Sequence, residues 1–135
     1  MTSADKRKLL LKFNSKAPAG ASSIRQFEME SGFRLPDDYA QFLQQTNGGE
    51  GFVGNAYLIL WRIEELLEMN KDYQVAEFAP GLFLFGSNGG GEAFAFDMRS
   101  DAMPIVSVPF VGMELSSIIP IAPDFKAFLE ALFKS

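Results

Sequence analysis

The chain has 135 residues and contains neither cysteine nor histidine. Without a thiol there is no thiolate nucleophile, disulfide framework, iron-sulfur cluster or cysteine zinc site, and without imidazole the commonest general base and metal ligand is missing. Ser-His-Asp and Cys-His chemistry is therefore excluded. Carboxylate, Lys, Tyr or Ser chemistry remains, as does an oxygen-ligated hard cation such as magnesium or calcium. Polar aromatics are also scarce, with three Tyr and one Trp against fourteen Phe. Phe has no polar handle, so most of these rings are expected to fill core. Long apolar runs are missing too. Leu9, Leu10 and Leu11 follow a basic stretch but are broken by Lys12. A secretory core needs about seven to fifteen apolar residues and a membrane span about twenty, so a cytoplasmic protein without membrane segment is expected.

Bases become sparse after the N-terminal quarter. Twelve Lys and Arg against seventeen Asp and Glu give a net charge of -5. Residues 1–34 hold seven bases and three acids, a local excess of +4, so the remainder carries -9. That balance argues against direct binding to nucleic acid or anionic membrane and favours encounter with a basic partner. A solvated surface kept soluble by negative charge is the plain alternative.

With 47% hydrophobic residues, a chain of this length buries a core without disulfides or metals. One domain over 1–135 is expected, with residues 1–21 as a basic lead-in. Leu9, Leu10 and Phe13 are spaced for a short helix over 5–13. Ser23 and Gln26 make a capping-box signature for a helix that Gly32 ends. Pro36 opens a second helix with Asp37 and Asp38 in its first turn and Tyr39, Phe42 and Leu43 on its buried side. Asn47, Gly48 and Gly49 stop it, and a glycine-rich connection runs through Gly54 to a buried strand over 57–61. Ile63, Leu66, Leu67 and Asn70 mark a third helix over 63–72. Residues 82–85 and 93–96 form a hairpin across the glycine-rich 86–92 segment, and 105–108 adds a strand. Residues 116–121 read only as an ambiguous extended stretch. Asp124 caps a final helix carrying Phe125, Phe128, Leu129 and Leu132. This order predicts an α+β fold: a central, mainly antiparallel β-sheet flanked by helices, with N-terminal helices and a C-terminal helix.

Candidate chemical motifs are few. Residues 49–54 spell G-x-G-x-x-G, but a helix precedes and a strand follows, the reverse of the dinucleotide-binding context. Residues 86–91 resemble a phosphate cradle only in composition and end at Glu92, whose charge would repel phosphate. Glu64, Glu68 and Asp72 are four apart on the third helix with Glu65 beside them, a solvated face or an acidic docking surface. No EF-hand or closely spaced aspartate pattern accompanies them, so no metal and no cofactor is expected. Tyr57 and Trp61 point to one face of their strand, as core or as binding residues.

The series Glu28-x-x-x-Gly32-x-x-Leu35-Pro36-x-x-Tyr39-x-x-Phe42-Leu43, Asn47-Gly48-Gly49, Phe83-x-x-Gly86, Gly89-Gly90-Gly91-x-x-Phe94-x-x-Asp97, Pro104-Ile105 and Asp124-Phe125-x-x-Phe128-Leu129 resembles the SUKH superfamily. It is most similar to the Smi/Knr cell-wall-assembly-regulator branch, from about Ile24 to Leu132. The resemblance implies an α+β domain, not an enzyme, that works by binding protein. Many bacterial relatives look like immunity proteins that neutralise toxins, often nucleases, of contact-dependent or polymorphic toxin systems. The expected function is thus a noncatalytic module binding a basic toxin domain, with a regulatory or scaffold domain as in cell-wall-assembly regulation as the alternative. The matched motifs carry over no catalytic role. The candidate partner-binding residues are the acids Glu50, Glu64, Glu65, Glu68, Asp72 and Glu92.

Overall fold

The computed structural model describes residues 9–135. Seven strands form one sheet in which each strand pairs antiparallel with its sequence neighbour: β1 (Lys12–Ser15), β2 (Gly49–Val53), β3 (Ala56–Leu60), β4 (Leu82–Ser87), β5 (Glu92–Asp97), β6 (Ile105–Pro109) and β7 (Ile119–Ala122). Among the described residues five complete α-helices accompany it: α1 (Ala21–Ser31), α2 (Asp37–Leu43), α3 (Ile63–Asp72), α4 (Val75–Phe78) and α5 (Phe125–Lys134). The α+β expectation holds, with α1 and α2 between the first two strands and α5 last.

The Phe-rich core sits on the inner face of the sheet. Phe85 and Phe96 stack at 4.6 Å, and Tyr39 of α2 and Phe125 and Phe128 of α5 pack over them. Phe27 of α1 reaches Phe83 near one end. The two amphipathic helices thus bury their stripes on the strands whose inner positions are aromatic, where burial is most favourable per residue.

Several local expectations change. Of the helix expected over 5–13, residues 5–8 lie outside the described region and Leu9 is helical, but the helix does not run to Phe13: Lys12 and Phe13 belong to strand β1 (Lys12–Ser15). Phe13 is buried, and strand pairing with β2 supplies that burial more fully than an isolated short helix does. The glycine-rich connection is largely strand β2. Gly49 and Gly51 adopt positive φ there, and a Cβ would meet Asn14 O at 2.6 Å or Lys12 O at 2.5 Å. These glycines let β1 and the Phe13 ring lie against β2, which explains the G-x-G-x-x-G run without a nucleotide. The Ser23–Gln26 capping box does not form: α1 starts behind Gly20 without a side-chain cap, and Gln26 instead donates to Glu30. Residues 116–121 resolve into a 3₁₀ turn, Leu115–Ser117, and β7.

Candidate functional site

The motif residues behind the family resemblance hold the fold together. Glu28 Oε2 accepts a hydrogen bond from the Leu35 amide at 2.8 Å, which fixes the turn between α1 and α2. Pro36 caps α2, and Asp38 in its first turn accepts from the Lys126 amide at 3.0 Å, tying α2 to the start of α5. Asn47 accepts from the Ile63 amide at 2.8 Å and donates to Glu64 at 2.7 Å, joining the loop after α2 to the N-terminus of α3. Asp97 receives Arg99 through two side-chain hydrogen bonds of 2.9 Å, and these hold its carboxyl below the usual range. Asp124 accepts from the Ala127 amide at 2.8 Å as the cap of α5. Burial pushes the Tyr39 hydroxyl well above its ordinary value.

The acidic residues divide into separate places. Ser23, Gln26, Phe27 and Glu30 lie at i, i+3, i+4 and i+7, so they share one side of α1. That side meets Ile63, Glu64, Leu67 and Glu68 of α3 across a half-open groove of about 360 Å³. Phe27, Ile63 and Leu67 supply apolar lining, while Glu30, Glu64 and Glu68 supply three carboxylates. No cationic side chain is among the described residues that line it. Glu68 makes no hydrogen bond or ion pair among the described residues, whereas Glu64 is engaged by Asn47 and Glu30 by Gln26.

The other sequence candidates fall outside this groove. Glu65 turns back on its own helix, accepting from the Arg62 amide at 3.1 Å and its guanidinium at 3.3 Å. Asp72 is exposed at the end of α3. Glu50 lies on β2, where Tyr57 donates its hydroxyl at 2.5 Å, and that hydrogen bond raises the Tyr57 pKa. Glu92 begins β5 opposite Pro109, with one carboxylate oxygen buried and without a hydrogen-bond partner among the described residues. Among the described residues no three acids converge as a metal site. Glu30 was missed by sequence reading. Its spacing from Phe27 and Gln26 was visible, but the apposition of α1 and α3 was not.

Tyr57 and Trp61 part company. Trp61 is buried and stacks beside Tyr73, with Phe110 tilted against both. Tyr57 stays half-buried with Phe52 set edge-on to it at 5.1 Å. Among the described residues no helix is long and apolar enough to cross a membrane.

Residues 18–131 match the family model described as SMI1 / KNR4 family (SUKH-1). Over 79 residues the chain is 37% identical to a Bacillus subtilis (strain 168) protein described as "Uncharacterized protein YnaB". That alignment covers 58% of this chain and 51% of the relative, so the match spans about half the relative's length.

Proposed function

The chain belongs to the SMI1/KNR4 (SUKH-1) family, and from that premise we propose that it is a noncatalytic protein-binding module of the immunity type. It binds and neutralises a basic toxin domain through the groove between α1 and α3. One observation carries this reading: apolar lining from Phe27, Ile63 and Leu67 is bordered by Glu30, Glu64 and Glu68 without a cation among the described lining residues. That combination suits a lysine or arginine of a partner, whose aliphatic stem covers apolar surface while its head meets carboxylate. The net charge of -5 adds a long-range attraction that speeds encounter with a basic protein. Occlusion of a toxin needs no reacting group on the inhibitor.

Co-expression with the products of neighbouring reading frames tests this directly. A stable complex that protects cells from a toxin, and that weakens as salt rises, is expected. Absence of both complex and protection overturns it. A growth or envelope defect on deletion in pure culture, without any toxin present, would instead favour a regulatory or scaffold role.

A further inference from the structure

The outer face of the sheet is covered over only part of its width. On β4, β5 and β6 its residues Leu84, Ala95, Val106 and Val108 are buried, and α4 and the 3₁₀ turn pack against these strands. On β1, β2 and β3 the pairing register puts Lys12 opposite Phe52 and Tyr57, and Asn14 opposite Glu50 and Ile59, all on the same outer face. This half is open. Phe52 is 47% exposed, Lys12 and Glu50 are exposed, and Tyr57 and Ile59 are half-buried.

The face sets Tyr57 and Ile59 on β3, Phe52 and Glu50 on the middle strand β2, and Lys12 and Asn14 on β1, so it carries one charge of each sign. Lys12 and Glu50 sit diagonally across it and form no ion pair with each other. Glu50 is held in place by the Tyr57 hydroxyl. A second copy meets no net charge here, unlike at the acidic groove. An in-plane two-fold axis bisecting the line from Lys12 to Glu50 sets Lys12 of each copy over Glu50 of the other. It also brings the two Phe52 rings together. Each charge pair then forms twice, as an isologous contact requires, and the strands cross steeply as in orthogonal sheet packing.

We infer that the open outer face of β1, β2 and β3 is a self-association surface whose occupant is a second copy of this chain. Three short strands offer less than the roughly 800 Å² per partner of a standard interface, so the dimer is weak and reversible.

Sedimentation velocity on the full chain from roughly 10 µM to 1 mM spans the range where such a contact populates. A concentration-dependent dimer is expected, and Lys12→Glu or Glu50→Lys alone weakens it by about tenfold or more because like charges then face each other twice. The double variant Lys12→Glu/Glu50→Lys restores the dimer to within about threefold of the original. Phe52→Lys, at an exposed position, abolishes it while the unfolding midpoint stays near that of the parent. A chain that remains monomeric throughout, single reversals without effect, or a swap that fails to restore the dimer overturns the inference. So does Phe52→Lys blocking capture of a different protein while the parent chain stays monomeric.

Discussion

Asn47 is the hinge pin between α2 and α3: its side-chain oxygen accepts from the Ile63 amide at 2.8 Å while its nitrogen donates to Glu64 at 2.7 Å. Both atoms of one amide are spent on one helix start, and the Glu64 carboxylate is fixed at the edge of the groove. Asn47→Ala leaves the buried Ile63 amide without its acceptor and frees Glu64. A loss of about 1–3 kcal/mol in urea unfolding is expected. An unchanged midpoint would show that this link contributes little.

Tyr39 gives the opposite result. Its ring packs among Phe85, Phe96 and Phe125, yet its hydroxyl is buried without a hydrogen-bond partner among the described residues. Tyr39→Phe removes that unpaired oxygen and keeps the ring. Stability is expected to hold or rise by up to about 1 kcal/mol, whereas Tyr39→Ala costs about 3–5 kcal/mol through the cavity it leaves. Thermal unfolding of the two variants side by side distinguishes them.

Gly51 tests the account of the glycine run. Its φ of 151° and the approach of Lys12 O leave no room for a side chain. Gly51→Ala is expected to destabilise by more than about 1 kcal/mol, and hydrogen exchange should accelerate first at the β1 amides. A neutral outcome would contradict the close pairing of β1 and β2.

The Asp97–Arg99 pair predicts an acid-side dependence. Arg99 lowers the folded pKa of Asp97 below its ordinary value of 3.8, so the stabilisation is present above that value and lost as pH falls through the folded pKa. Asp97→Asn should therefore cost a constant amount of stability near neutrality, and the gap to the parent should close at pH values below 3.8. Denaturant unfolding across acid pH measures it, and a gap independent of pH would contradict the pairing.

Much of the fold was legible where one local pattern decided the matter. Helix α3 runs from Ile63 to Asp72 as its apolar spacing indicated, and the hairpin of β4 and β5 follows the glycine-rich turn between two aromatic runs. Strands β1 and β2 escaped because their signals depend on each other: Gly49 and Gly51 read as breakers until Phe13 lies across them. Asn70 read as the last residue of a buried stripe. Its side chain in fact bonds the Leu84 backbone at both amide and carbonyl, serving the edge of β4 where β3 no longer pairs with it. The candidate site was half legible for the same reason. Glu64 and Glu68 announced themselves by helical spacing, but Glu30 joined them only when α1 packed beside α3.

The groove is the centre of the functional account, and an amide NMR titration of the whole chain with a hexa-arginine peptide tests it most directly. Shifts should concentrate at residues 23–30 and 63–68, fade as salt is raised, and vanish in Glu30→Lys/Glu68→Lys. Shifts spread evenly over the acidic surface, or unchanged by that double substitution, would contradict it.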